Sequence, residues 1–179
     1  MNILLLNGSP RKGNTFSALE KLKQGLQNIK DLQINQIDTS KVSVSPCIAC
    51  EKCKQHHKCI FNDDTNSVID AIVDADAVIF ATPVYWWGIT SQLKLIIDKF
   101  YSRQEQLSAH KKQIGIISIG QLSTDNIQYK LISDQLQCIS DYLGWEIVFC
   151  HSYSAYDKGD LLSDKNALQE IENLWRKIK

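Results

Sequence analysis

The sequence lacks an excess of charge of either sign. Its 20 lysine and arginine residues equal its 20 aspartate and glutamate residues, so the formal net charge is zero. It also contains no basic stripe and no run of like charges, which argues against nucleic acid or an anionic lipid surface as a partner. We therefore expect small-molecule partners.

Long hydrophobic runs are missing as well. Met1 to Leu6 is too short for the hydrophobic region of a signal peptide and has no basic start, and no later stretch is long enough to span a bilayer. These absences predict a cytoplasmic protein. In that reducing compartment the six cysteines are expected to be thiols, metal ligands or redox groups, because structural disulfides are rare there.

No internal repeat, low-complexity tract or linker interrupts the chain. Its 179 residues fit one domain with a full hydrophobic core, and we expect that domain to cover residues 1–179. One long irregular segment, at about 38–63, holds four of the cysteines. A loop of that length inside a compact domain is usually functional.

Five apolar runs alternate with helical patterns. Several runs are too apolar to have a solvent face, which indicates strands buried on both faces of a parallel sheet. The pattern predicts a doubly wound α/β fold. The expected strands are Asn2 to Leu6, Leu32 to Ile37, Ala77 to Ala81, Gln113 to Ile119 and Trp145 to Cys150. The expected helices are Thr15 to Ile29, Thr65 to Val73, Ser91 to Tyr101, Asn126 to Leu143 and Ser163 to Ile178.

Helix boundaries also have signals in the sequence. Asp64 or Thr65, Thr90 and Asp125 are candidate N-caps, and Gly144 is a candidate C-terminal stop. Ligands of doubly wound sheets bind beyond the carboxyl ends of the strands. The segments that follow strand ends with unusual chemistry are residues 8–15, Thr82 to Gly88 and Gly120 to Asp125. We expect all three to contribute to one pocket.

The first of these segments is dense in groups that bind phosphate. It reads Gly-Ser-Pro-Arg-Lys-Gly-Asn-Thr between a strand and a helix, and a helix N-terminus offers unpaired amides to an anion. Asn14 stands where a triphosphate-binding loop has lysine, and Pro10 stands at the second glycine of a dinucleotide fingerprint. The turn therefore predicts a site for one terminal phosphate, as in a mononucleotide. Its candidate ligands are Ser9, Arg11, Lys12, Asn14 and Thr15.

The second segment carries three adjacent aromatic residues. They can pack under the loop or at a subunit contact, or they can form a platform for a flat heteroaromatic ring. Together with a monophosphate turn, the platform favours FMN. The candidate residues at the ring are Pro83, Val84, Tyr85, Trp86, Trp87 and Gly88, with Gly120 of the third segment. Tyr85 is the best candidate to shape the face where nicotinamide or an acceptor stacks.

The motif at residues 8–15, and Pro83-Val84-Tyr85 followed by Gln92-Leu93-Lys94-Leu95, resemble those of the flavodoxin-like NAD(P)H-dependent FMN reductases. The resemblance implies a flavodoxin-like sheet with strand order 2-1-3-4-5. It also implies that Ser9, Arg11, Asn14 and Thr15 hold the FMN phosphate, and that residues 83–87 border the isoalloxazine. This chain has Gly120-Gln121 where many relatives carry paired glycines. No side-chain acid or base is obligatory in such a site, so no catalytic residue is assigned.

The long loop contains Cys47, Cys50, Cys53 and Cys59 in a C-x2-C-x2-C-x5-C pattern. Soft thiolates at these spacings suit an iron–sulfur cluster or zinc. The pattern resembles that of the iron–sulfur flavoproteins, which implies a [4Fe-4S] cluster. Free thiols and a redox disulfide pair are the alternatives. His56 and His57 are further candidate ligands or solvated side chains, whereas Cys138 and Cys150 are expected to be buried.

Three functions remain open at this point. The first is an FMN-dependent oxidoreductase that passes electrons from NAD(P)H to a flavin, quinone, nitro compound, metal or protein. The second is an iron–sulfur flavoprotein that acts as an electron carrier, and the third is a redox or metal sensor without catalysis. By analogy with the resembled family, we also expect a homodimer or homotetramer, because the aromatic loop would otherwise be exposed.

Overall fold

Five parallel strands form one sheet in the order β2-β1-β3-β4-β5. The structure is a computed structural model and describes residues 1–179. The strand order confirms the flavodoxin-like α/β sheet expected from the sequence. The strands are β1 Asn2–Asn7, β2 Gln33–Asp38, β3 Ala77–Pro83, β4 Gln113–Gly120 and β5 Glu146–Ser154.

Helices cover both faces of the sheet. The side chains of Ile3 and Leu5 pack with α1 and α8 on one face, whereas Leu4 and Leu6 pack with α3, α4 and α6 on the other. This double burial explains why Ile3 to Leu6 within β1 is an uninterrupted apolar run. The helices are α1 Asn14–Leu26, α2 Cys53–His56, α3 Thr65–Val73, α4 Ser91–Asp98, α5 Gln104–Ala109, α6 Ile127–Leu143, α7 Asp160–Ser163 and α8 Lys165–Asn173.

The predicted helix boundaries need several corrections. The helix expected to end at Tyr101 ends at Asp98 and continues as a 3₁₀ helix over Lys99–Arg103. The helix expected from Ser163 is broken, because Asp164 caps α8 by accepting a hydrogen bond from the Ala167 amide. It ends in a second 3₁₀ helix, Leu174–Lys177. The short helices α2, α5 and α7 were not predicted, since one or two turns carry little periodicity.

The caps follow the predicted chemistry with two shifts of one residue. Thr90 caps α4, and Gly144 ends α6 with a left-handed φ of 72°. Asn126, not Asp125, caps α6 by accepting from the Gln128 amide. Asp64 precedes α3 without capping it, and Asp63 accepts from the Thr65 amide instead. Asp and Asn are about equally favourable N-caps, so the sequence does not distinguish between adjacent candidates.

None of the helices combines the length and the apolar character needed to cross a membrane.

Candidate functional site

The three segments singled out in the sequence follow the carboxyl ends of three adjacent strands of the sheet. They follow β1, β3 and β4, and backbone hydrogen bonds join them at their bases. The Gly8 amide donates to the Ala81 carbonyl oxygen at 2.7 Å, and the Val84 amide donates to the Ile119 carbonyl oxygen at 2.8 Å. Because neighbouring strands are about 4.8 Å apart, the three loops start within about 10 Å of one another. The strand order reverses between β1 and β3, where doubly wound sheets bind their ligands.

The first loop presents a helix N-terminus. Gly13 is the N-cap of α1, and the first amide bonded within the helix is that of Ser17, which donates to the Gly13 carbonyl oxygen at 3.0 Å. The amides of residues 14–16 therefore have no partner within the helix. Arg11 and Lys12 are exposed beside this terminus. These free amides and the two neighbouring cations together form a site suited to binding an anion.

Side chains at both ends of this turn fix its shape. The Asn7 amide group accepts from the Ser9 backbone at 3.1 Å and donates to Asp38 at 3.0 Å. The Ser9 hydroxyl donates to the Arg11 carbonyl oxygen at 2.8 Å. Burial alone would raise the pKa of Asp38, but hydrogen bonds from Lys41, Asn7 and Gln36 outweigh it and lower the pKa to about 2. Asp38 and Asn7 are thus positioning residues that the sequence motif did not reveal.

Asn14 is engaged within the protein. Its Nδ2 donates to the Asp157 carbonyl oxygen at 2.8 Å, and its Oδ1 accepts from the Gly159 amide at 2.8 Å. The side chain therefore ties the segment after β5 to the start of α1. Thr15 is buried in the first turn of the same helix. Any phosphate at this turn would meet Asn14 through its backbone amide more readily than through its side chain.

The second loop folds back as a tight two-residue turn. The amides of Tyr85 and Gly88 donate to each other's carbonyl oxygens at 2.9 and 3.0 Å, and Trp86 and Trp87 between them have φ values of 47° and 62°. Positive φ at both central positions is the geometry that normally selects Asn-Gly. Two bulky aromatics there are strained. Trp86 is also 92% exposed, and strain combined with exposure is typical of functional loops.

A cavity of about 490 Å³ opens between the second and third loops. We call it the tryptophan-loop cavity. Its size lies in the range of small-molecule sites. Its wall consists of Val84, Tyr85, Trp86, Trp87, Gln121, Leu122 and Gln128. Of the residues predicted at a ring, the cavity wall includes Val84 to Trp87, while Pro83, Gly88 and Gly120 lie outside it. The phosphate turn also lies outside this wall.

Gly120 has a steric reason to be glycine. A Cβ at this position would lie 2.8 Å from both the Val84 Cγ2 and the Gln128 Nε2. The third loop is held in place by Tyr129, whose hydroxyl donates to the Leu122 carbonyl oxygen at 2.8 Å. Burial raises the pKa of Tyr129, so its hydroxyl stays a neutral donor. Neither Gln128 nor Tyr129 belongs to a recognisable motif, and sequence analysis missed both.

The cysteine-rich loop is anchored to the start of α3. Asp63 accepts from the Ser45 and Thr65 amides at 2.8 and 2.9 Å, and Asn66 exchanges two hydrogen bonds with the backbone of Cys59. Burial opposes ionisation of Asp63, but these hydrogen bonds dominate and lower its pKa to about 2. The loop is therefore fastened at its base.

The four loop cysteines line one small cavity together with Phe61 and Lys99. Cys47 and Cys50 are exposed, whereas Cys53 and Cys59 are half-buried. No three His, Cys, Asp or Glu side chains converge as a ready metal-ligand set, so the predicted metal site is not confirmed. Lys99 is only 2% exposed. Its ammonium lies 3.5 Å from the Cys59 sulfur and 4.3 Å from the Phe61 ring centre.

The two cysteines outside the loop differ from expectation, whereas the tryptophan of the last helix agrees with it. Cys138 and Cys150 were expected to be buried, and both are exposed. Cys138 lies on the outer side of α6, and Cys150 lies on the edge strand β5. On the surface, the His57 Nδ1 lies 4.0 Å from the Glu105 Oε2. Trp175 packs against the core, as expected.

The family model for NADPH-dependent FMN reductase matches residues 1–136. The chain belongs to this family. It is 37% identical over 119 residues to an iron-sulfur flavoprotein of Clostridioides difficile, a match that covers 65% of this chain and 53% of that protein. It is 28% identical over 189 residues to the Bacillus subtilis protein YwqN, whose name describes an NAD(P)H-dependent FMN-containing oxidoreductase, and covers 98% of it.

This chain matches only part of the iron-sulfur flavoproteins that resemble it. The matched segments span 62%, 53% and 63% of the lengths of three of them. Solved structures agree on the fold. The Trp repressor binding protein from Bacillus subtilis has a TM-score of 0.65 at 23% identity, with 97% of this chain and 96% of that chain covered. Smu.1420 from Streptococcus mutans has a TM-score of 0.75 at 16% identity, with 99% and 100% covered. These likenesses confirm the fold class.

Proposed function

We propose that this member of the FMN reductase family is an oxidoreductase that binds FMN and transfers electrons from NADH or NADPH to a small acceptor. The acceptor classes we propose are flavins, quinones and nitro compounds. One observation carries the proposal: a helix N-terminus with free amides and a cavity lined by aromatic side chains lie at the same edge of the sheet, on adjacent strands. A phosphate joined to a flat ring matches this pair of sites.

The residues of the first loop fit a phosphate monoester. The amides of residues 14–16 point out of the helix terminus, and Arg11 and Lys12 add positive charge from the exposed side. We assign Ser9 to shaping the turn, because its hydroxyl is bonded to the Arg11 backbone. Thr15 supplies a hydroxyl in the first turn of the helix.

The residues of the second loop fit a ring. Tyr85 and Trp87 are each about half exposed on the cavity wall, and Val84 forms its inner side. FMN, when bound, would supply the group that accepts hydride and releases electrons. The wall contains no carboxylate, imidazole or lysine, and the role that we assign to its residues is to bind and orient the ring.

The experiment is anaerobic reduction of the FMN-loaded protein. NADH or NADPH is added without an acceptor, and the visible flavin absorbance is followed in a stopped-flow instrument. We expect the absorbance to bleach with saturable dependence on one nicotinamide, and to return when a quinone is added. A flavin band that persists with both nicotinamides would contradict the proposal.

The iron–sulfur flavoprotein is the second candidate, and the observation that favours it is that four thiols and one buried ammonium line the same cavity. Cluster assembly would have to draw the exposed Cys47 and Cys50 inward toward Cys59. Iron and acid-labile sulfide are measured on anaerobically purified protein. About four irons per chain, lost in Cys59→Ser but retained in Cys138→Ser, would support it, and iron-free protein would exclude it.

We also propose that the protein is a homodimer or homotetramer. The support is Trp86, whose ring is left almost wholly exposed on a strained turn. Light scattering on wild type and Trp86→Ser measures this directly. A monomeric wild type at micromolar concentration would contradict the proposal.

A further inference from the structure

Gln128 is the one polar side chain in the wall of the tryptophan-loop cavity that is almost entirely buried. It is 5% exposed, and its amide nitrogen Nε2 has no hydrogen-bond partner. Gln121, the other amide in the wall, is exposed and can be solvated. A buried donor without a partner is rare and destabilising, so its presence at a ligand-sized cavity requires an explanation.

The surrounding structure holds Gln128 in this position. Its backbone amide donates to the capping Asn126 side chain at 3.1 Å, which fixes the residue in the first turn of α6. Its Nε2 occupies space that exists because residue 120 is glycine. The neighbouring Tyr129 hydroxyl donates to the Leu122 carbonyl oxygen at 2.8 Å, and the Tyr153 carbonyl oxygen lies 3.3 Å from it. The fold thus places the carboxamide beside the third loop and next to the Tyr129 hydroxyl, and it leaves Nε2 without a hydrogen bond of good geometry.

We propose that Gln128 recognises a carbonyl oxygen of the ring bound in this cavity, through a hydrogen bond donated by Nε2. Rotation about the last side-chain torsion, which is broad, turns the amide toward the cavity. The inference rests on the proposed function and deepens it by naming a recognition group. Conjugated carbonyl oxygens occur both on the pyrimidine edge of an isoalloxazine and in the carboxamide of a nicotinamide, so the experiment must separate these two sources.

The first arm measures FMN affinity of the apoprotein by fluorescence titration, for wild type, Gln128→Leu and the control Gln137→Leu. Gln137 is an exposed amide on the same helix, nine positions farther along α6. If the flavin carbonyl is the partner, we expect Gln128→Leu to weaken FMN binding about tenfold and Gln137→Leu to leave it unchanged. Wild type should bind FMN more tightly than analogues with sulfur in place of the C2 or C4 oxygen. Gln128→Leu should bind FMN and these analogues with equal affinity.

The second arm measures the dissociation constant of NADP⁺ from FMN-loaded wild type and Gln128→Leu. An unchanged FMN affinity with about tenfold weaker NADP⁺ binding would assign the nicotinamide carbonyl as the partner. Either loss supports the recognition role. Unchanged affinity for both ligands would overturn it while leaving the proposed function intact. A wild type that does not bind FMN would overturn the proposed function and this inference together.

Thermal unfolding of the apoproteins distinguishes recognition from a structural role. Since Nε2 has no partner within the protein, replacing the amide with leucine should leave apoprotein stability unchanged or raise it. A clear fall in apoprotein stability without a change in either affinity would assign Gln128 to the structure alone. Gln128→Glu, which keeps the size but removes the donor, should weaken the same ligand as Gln128→Leu.

Discussion

The hydroxyl of Thr90 donates a 2.7 Å hydrogen bond to the carbonyl oxygen of Gly8, 82 positions away in the sequence. Thr90 is wholly buried, and its own hydroxyl oxygen accepts a hydrogen bond from the Leu93 amide and so caps α4. One side chain therefore joins the phosphate turn to the helix that follows the tryptophan loop. The relative position of the two halves of the site depends on this contact.

We expect Thr90→Val to lower the free energy of unfolding by about 1–2 kcal/mol, because it removes a cap and a buried hydrogen bond at nearly constant volume. Chemical denaturation measures the change. Thr39→Val is the matched control, since Thr39 is also buried but its hydroxyl has no partner. That variant should be neutral or more stable. Equal losses in both would show that the Gly8 contact contributes nothing.

Arg11→Ala should weaken FMN binding about fivefold to twentyfold through loss of a charge-assisted contact to the phosphate, while riboflavin affinity stays constant. Arg11 is exposed, so the fold should be unaffected. Lys111→Ala removes a cation at the opposite edge of the sheet and serves as the control. FMN affinity unchanged by Arg11→Ala would remove this residue from the site.

Relief of the strain in the tryptophan turn should raise the stability of the apoprotein and weaken its binding of FMN. Replacing Trp86-Trp87 with Asn-Gly suits the positive φ angles and should raise apoprotein stability by about 1–2 kcal/mol. The same change removes two aromatic walls and should weaken FMN binding. Tyr142→Ser, at an exposed aromatic on α6, should do neither. A double variant that is less stable than wild type would refute the assignment of strain.

Acid should destabilise the protein through Asp38. Its pKa is lowered from the ordinary 3.8 to about 2 in the folded state, so its contribution is fully present above pH 4 and is lost as the pH falls toward 2. We expect Asp38→Asn to flatten the pH dependence of the unfolding free energy in that window. Asp31→Asn, at an exposed aspartate, is the comparison, and an identical slope in all three proteins would contradict the expectation.

The fold was predictable because burial on both faces leaves a clear record in the sequence. The run Ile3 to Leu6 is apolar throughout and fills both layers of the core. The phosphate turn and the tryptophan loop were predictable for a related reason, since each directly follows such a strand. The parallel sheet then brings their positions together without further information.

The finer parts of the site depend on contacts that no local pattern encodes. Asn14 bonds to the segment at Asp157, 143 positions away. The left-handed conformation of Trp86 and Trp87 runs against the preferences of aromatic residues, so propensity alone points elsewhere. No local pattern distinguishes Gln128 from other helix residues. Its amide lies at the cavity because the absence of a side chain at Gly120 leaves space for it. These features require the three-dimensional structure.

The most direct measurement of the central claim is a paired titration of the apoprotein with FMN and with riboflavin, followed by flavin fluorescence. The claim is that the helix terminus after β1 and the tryptophan-loop cavity hold one cofactor together. We expect one FMN per chain, bound about a hundredfold more tightly than riboflavin because several amides and cations contact the phosphate. Equal affinity for the two flavins, or no saturable binding of FMN, would contradict the account.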